Sequence, residues 1–192
     1  MQVVESGGYQ AMTIRSLAAE LGVAPMSLYR HVKDKDDLLT EVVDRLLARS
    51  WRPRRRATDW RAWTAEAAER LRQFLVDQPA ALHVYLLGPV VSPAALARMQ
   101  AMLQVLRSAG LDDEQAWHAY AALQTYTIGF AALQTSRRRA APRSAGDPLV
   151  AQLSASATAA QFSVGLRYLL EGIERDASGR AHRPPAPVGV AP

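Results

Sequence analysis

The stretch TIRSLAAELGVAPMSLYRHVKDKDDLLTEVVDRLL, residues 13–47, decides how the chain is organised. Leu17, Ala18 and Leu21 share one face of a first short helical pattern. Gly22 follows at once and can take the positive φ that stops a helix. Pro25 opens the next helix, because its missing N–H is no loss in a first turn. That helix carries Met26, Ser27, Tyr29, Arg30 and His31, while Leu28 and Val32 line up four apart. Asp34 reads as an N-cap, and Leu38, Leu39, Val42, Val43, Leu46 and Leu47 form a broad apolar stripe on a third, longer helix. Short helix, tight turn, polar-faced helix and supporting helix are the parts of a helix-turn-helix unit. Helical hairpins with a glycine turn are common, so spacing alone leaves open whether the unit reads DNA or only packs.

The segments LAAELGV, SLYRHV and KDKDDLL, in this order and without gaps, closely resemble the DNA-binding domain of the TetR family of transcriptional regulators. The resemblance implies that the helix starting at Pro25 enters the major groove, with its N-terminal half against the base edges. By that resemblance Tyr29 bonds a phosphate, and Lys35, opening the supporting helix, contacts another. Thr13 caps the preceding helix and touches the backbone, and Arg15 reaches a base or a phosphate. Arg30 and His31 have the donors to read guanine or clamp phosphate. Met26 offers an apolar surface to a thymine methyl, Pro25 contributes shape only, and Ser27 lies beside them. Ala24 stands where the family often has serine, so this helix lacks a side-chain cap, a cost of about 1 kcal/mol. The family also has a full helix before this point; residues 1–7 read as its last part, ended by Gly7-Gly8, so the first helix is expected to be truncated.

The chain has 192 residues, enough for one large or two small domains, and 49% of them are apolar, enough for a core. There is no cysteine, which excludes disulfides and thiolate metal sites and suits a cytoplasmic protein. The N-terminus lacks the basic-then-apolar pattern of a signal peptide. The formal charge is +5, yet residues 1–47 hold five basic and seven acidic side chains. The excess sits at Arg49–Arg56 and Arg137–Arg143, which read as solvated connections. The case for DNA therefore rests on local geometry rather than bulk charge.

Beyond the first 50 residues the pattern is helical throughout, and no strand pattern appears, so the fold class is all-α: an N-terminal three-helix helix-turn-helix domain plus a C-terminal helical bundle. Residues 51–58 read as a linker with Pro53 as breaker. Asp59 caps a helix to about Val76 with Trp60, Trp63, Ala67, Leu71, Phe74 and Leu75 on its apolar stripe. Pro79 opens a shorter helix through Leu86. Ser92-Pro93 starts another, with Leu96, Met99, Met102, Leu103 and Leu106 inward and Gly110 ending it. Asp112 with Gln115 is a capping box for a long helix to about Thr135. The uncharged run Gln115–Ser136 is long enough to span a bilayer, but its many polar groups make it a buried helix instead, so no membrane partner is expected. Residues 136–148 read as a basic loop, 149–158 are weakly patterned, and a last helix, residues 159–175, presents Phe162, Leu166, Leu169, Leu170 and Ile173. Residues 177–192 are proline-rich and expected to be a disordered tail.

Residues 59–176 resemble the ligand-binding and dimerisation domain of the same family, on helix order and on fragments such as LRSAGLD and TYTIGFA. That implies a homodimer through helices 115–135 and 159–175, a palindromic operator, and a mostly apolar cavity for a small-molecule effector, itself apolar or aromatic. Trp63, Tyr85, Met99, Leu103, Trp117, Tyr120, Gln124 and Tyr126 are candidate lining residues, though aromatics and methionines at helical spacing also fill ordinary cores. No cofactor is expected. The chain lacks a P-loop, GxGxxG and GxSxG, and His31, His83, His118 and His182 form no HExxH. Glu66 and Glu69 share a helix face but lack the Glu-x-x-His partners of a di-iron bundle. An enzyme is thus the weakest reading, and a helical protein-interaction module without DNA binding the next.

Overall fold

The computed structural model describes residues 35–50, 59–139 and 148–179. Among the described residues there are helices and no strands: α1 (Lys35–Ser50), α2 (Trp60–Asp77), α3 (Pro79–Leu87), α4 (Pro93–Ser108), α5 (Asp113–Arg139), α6 (Pro148–Ser154) and α7 (Ala159–Ala177). The all-α expectation holds. The caps explain where the helices begin. Asp59 Oδ1 accepts from Arg61 N at 2.8 Å and Ala62 N at 3.2 Å. Ser92 Oγ accepts from Ala95 N, ahead of Pro93 in the first turn of α4. Asp112 and Gln115 exchange backbone N–H bonds at 2.8 and 3.0 Å. Gly110, at φ +102°, turns the chain between α4 and α5 in a conformation that side chains resist.

One boundary differs from the sequence reading. The long helix continues to Arg139 rather than stopping at Thr135, because arginine is a good helix former and nothing before residue 139 breaks the run. The last helix begins at Ala159 as read, behind a capping box, Thr158 with Gln161, and a non-glycine residue at positive φ, Ala157. The weakly patterned stretch before it forms the short helix α6.

Packing divides into two adjoining clusters. One gathers Trp63, Ala67, Met102, Leu106, Leu123, Phe162, Leu166 and Leu170 from α2, α4, α5 and α7. The other joins Val43 and Leu47 of α1 to Leu75 of α2, Leu82 and Tyr85 of α3 and Ala95 of α4. The first cluster centres on Phe162, which is completely buried; Tyr126 stacks on it at 5.1 Å and Phe130 meets it edge-on at 5.2 Å. The second fixes α1 to the bundle. Val43 and Leu47 of its stripe are four apart and both buried, with Leu46 partly buried against the same cluster.

Candidate functional site

Buried polar chemistry concentrates where α2, α3, α4 and α5 meet. On α4 the inward face reads Ala95, Arg98, Met102 and Leu106, at steps of three and four. A guanidinium is thereby carried into the core: Arg98 is 3% exposed. Its Nη2 donates to Gln124 Oε1 at 3.0 Å, and the same oxygen accepts from the Tyr120 hydroxyl. Arg98 Nε and Tyr85 Oη are buried with no hydrogen bond of ordinary geometry. A small cavity of about 10 Å³ lies against these groups, lined by Ala68 and Leu71 of α2, Arg98 and Met102 of α4, and Tyr120, Leu123, Gln124 and Thr127 of α5. It has room for about one water molecule.

Electrostatics follow burial. Burial pushes the Tyr85 pKa up, the charge of the neighbouring Arg98 and a hydrogen bond with it pull it part of the way back, and the Asp44 carboxylate raises it again. Tyr120 is raised by burial too, against the lowering effect of Arg98 and of its bond to Gln124. Asp44 sits on α1, and its Oδ1 accepts from Ala94 N at 2.8 Å, in the first turn of α4. The helix arriving from the N-terminal region is therefore fastened to the helix that bears Arg98.

Of the candidate lining residues, Tyr120 and Gln124 line this cavity. Tyr85 faces the same guanidinium from α3. Trp63 and Leu103 are buried in the first cluster, with Met99 partly buried against it. Tyr126 turns to α7, donating to Phe162 O at 2.9 Å. Trp117 is half exposed, its ring 5.7 Å from that of Tyr120. Arg98 was not among the residues singled out from the sequence, although its spacing from Ala95 and Met102 marks the inward face. A second, open groove of about 320 Å³ runs between α2 and α7, with Arg61, Glu66, Glu69 and Arg167 on its walls and none of the candidates.

Thr13, Arg15, Pro25, Met26, Ser27, Tyr29, Arg30 and His31 lie outside the described residues. Lys35 is the first residue of α1. On α5, Trp117, Ala121, Thr125, Gly129 and Leu133 are exposed at steps of four, and on α7 Val164 and Tyr168 are exposed opposite the buried Phe162 and Leu166. Among the described residues, no three His, Asp or Glu side chains gather to hold a metal, and no helix is long and apolar enough to cross a membrane.

Among the described residues, seven helices pack into a bundle to which α1 is fastened, with a small cavity against Arg98. Residues 52–177 match the family described as tetracyclin repressor-like, C-terminal domain, and residues 1–42 match bacterial regulatory proteins, tetR family. The chain belongs to the TetR family of transcriptional regulators, a family of regulators rather than enzymes. The transcriptional repressor DrrR1 of Streptomyces coeruleorubidus is 31% identical over 144 residues, which cover 74% of this chain and 53% of that protein. A transcriptional regulator of Saccharopolyspora erythraea is 30% identical over 129 residues, covering 67% of this chain and 55% of its own. The chain thus spans about half the length of these two curated relatives. Apo ActR of Streptomyces coelicolor superposes with a TM-score of 0.76 at 25% identity, covering 94% of this chain and 93% of the other.

Proposed function

We propose that the chain is a homodimeric repressor that binds a palindromic operator and leaves it when a small apolar or aromatic molecule enters the bundle. The observation that carries this is the pairing of matches: a tetR-type DNA-binding region at residues 1–42 directly precedes a tetracyclin repressor-like domain at 52–177. The division of the chain is read accordingly: residues 1–50 bind DNA, 51–58 link, and 59–176 bind effector and dimerise. DrrR1, which is named a repressor, supports that sign of regulation. ActR has been crystallised with actinorhodin, a property of ActR that supports an effector-bound state for a bundle of this shape.

The reader carries the roles read from the sequence. Tyr29 and Lys35 hold phosphates with Thr13, and Arg15, Arg30 and His31, flanked by Pro25, Met26 and Ser27, face the bases. Dimerisation uses the exposed small-residue stripe of α5, where an added Cβ at Gly129 would meet nothing within 4 Å, together with Val164 and Tyr168 of α7. Small residues let two helix backbones approach closely, so the same two helices serve the monomer core on one side and the partner on the other.

Release works through α1. An effector in the α2–α4–α5 cavity moves α4; Asp44 and the Val43–Leu47 contact pass the movement to α1, and the two readers lose the spacing of successive grooves. Such coupling acts in both directions, so operator DNA must weaken effector binding by the same factor. The test is fluorescence anisotropy on a selected operator. Tyr29→Phe and Lys35→Ala should weaken binding to all sequences about equally, whereas Arg15→Ala or Arg30→Ala should change preference at one base pair by about 1–3 kcal/mol. Unchanged binding after truncation of all four side chains would place the interface elsewhere.

A further inference from the structure

Arg72 and Arg98 are both buried in this bundle, at 1% and 3% exposure, and their surroundings are opposite. Arg72 is saturated. Its Nε donates to Glu69 Oε2 at 3.0 Å, its Nη1 to Gln134 Oε1 at 2.6 Å and its Nη2 to Glu69 Oε1, and its guanidinium lies over the Phe162 ring. It is an internal tie between α2, α5 and α7. Arg98 has no carboxylate within ion-pair distance among the described residues. Its Nη2 donates to Gln124 Oε1, an oxygen shared with Tyr120, and the neutral Tyr85 hydroxyl lies beside it. The carboxylate that acts on this cluster, Asp44, already accepts from Ala94 N.

The cluster is therefore rich in donors and short of negative charge. Arg98 offers five N–H groups and cannot shed its charge, and the neutral oxygens beside it, Gln124 Oε1 and the Tyr85 and Tyr120 hydroxyls, carry no charge to balance it. A carboxylate supplies two charged oxygens with about four acceptor sites, which suits a planar guanidinium fork. The remaining walls are apolar: Ala68, Leu71, Met102 and Leu123. We infer that Arg98 recognises the anionic group of the effector, and that the effector is an apolar organic acid: its carboxylate faces Arg98 and Tyr85 and its body lies among Leu71, Met102 and Leu123. This rests on the effector reading above and names the ligand class for it.

The size of the cavity adds a consequence. At about 10 Å³ it cannot hold an organic acid until α4 parts from α2 and α5. A ligand that fits only the parted arrangement binds the two arrangements unequally, and that inequality is what shifts an equilibrium between them. The helix that must move is the one fastened to α1 at Ala94.

The experiment uses the full chain and matched ligands: medium-chain fatty acids, 1-naphthoic acid and anthracene-9-carboxylic acid, each paired with its primary amide, followed by thermal shift and then calorimetry. At least one acid should bind about tenfold more tightly than its amide. In Arg98→Met, that acid should fall to the affinity of the amide while the amide binds unchanged or better. Arg98→Lys, which keeps the charge without the fork, should retain part of the preference. If Arg98→Met fails to fold, the wild-type acid–amide comparison and Arg98→Lys still decide. Equal binding of acids and amides would overturn the proposal while leaving the effector cavity standing. An acid preference that survives Arg98→Met would put the anion elsewhere, the arginine-lined α2–α7 groove first, and overturn it too. Binding of neither acids nor amides anywhere in the series would remove the effector reading along with the proposal.

Discussion

Replacing Asp44 by alanine removes the carboxylate that ties α1 to α4. The bond spans fifty positions of chain: Asp44 Oδ1 accepts from Ala94 N at 2.8 Å. Pro93 has no N–H and Ser92 Oγ takes Ala95 N, so Asp44 serves the donor of the first turn that the local cap leaves over. Loss of a helix cap costs about 1 kcal/mol. The charge at a helix N-terminus adds about 0.3–1 kcal/mol where it is partly screened, as at this half-buried position. The sum is about 1–2 kcal/mol, which for a chain of this length is a fall of about 2–8 °C in melting temperature. Asp44→Asn keeps an acceptor and drops the charge, so it should lose only about half as much. Urea unfolding followed by circular dichroism gives both differences at constant m-value. The tie also carries the proposed switch, so Asp44→Ala should reduce the factor by which an effector weakens DNA binding. An unfolding midpoint equal to that of the parent chain would refute the reasoning, because it would mean that α4 starts as well without α1.

Three further outcomes follow from the packing. An added Cβ at Gly165 would fall on the Tyr126 hydroxyl and 2.9 Å from its Cζ, while that ring is held by Phe162 O and by stacking; Gly165→Ala should therefore cost about 1–3 kcal/mol in urea unfolding. Arg72→Met strands Gln134 and Glu69 and should cost about 3 kcal/mol, whereas Arg98→Met removes a charge that has no carboxylate and should change stability by less than about 1 kcal/mol or raise it; similar losses for both variants would contradict the contrast between them. Tyr85 and Tyr120 have pKa values above the ordinary 10.0 in the folded chain. The folded state holds their protons more tightly than the unfolded state, so their contribution is complete below pH 10 and is lost as pH rises through the folded values. Tyr85→Phe and Tyr120→Phe should flatten the fall of melting temperature in that alkaline window; an unchanged slope in both would count against their burial.

What the sequence showed and what it hid have separate physical reasons. Asp59, Ser92-Pro93 and Asp112-Gln115 were legible because capping is local chemistry: a short acceptor side chain meets backbone donors two or three residues on, whatever the rest of the chain does. Thr158 with Gln161 obeys the same rule; the helix start near Ala159 was legible from its apolar stripe, while the capping box itself was not read in the alanine- and serine-rich stretch before it. Arg98 and Arg72 were hidden because charged residues on an amphipathic helix are ordinarily assigned to the solvent face. Their positions nevertheless fall on the inward spacing, Arg98 between Ala95 and Met102 and Arg72 four after Ala68, with Leu96 correspondingly turned outward at 37% exposure. Whether an inward arginine meets a carboxylate, like Arg72 with Glu69, or only neutral oxygens, like Arg98 with Gln124, depends on which helix packs opposite. The candidate lining residues scattered for the same reason: an aromatic at helical spacing shows that it faces a neighbour, not which neighbour, and Tyr126 faces Phe162 while Tyr120 faces Arg98.

The most direct test is to incubate the purified full-length chain with fragments of its own genome, recover what it retains, and sequence it. The account predicts enrichment of a two-fold symmetric site with half-sites one helical turn or a near multiple apart, and an affinity for that site that falls steeply as salt rises. Retention of no fragment above background at low salt, in the absence of any added small molecule, would contradict it.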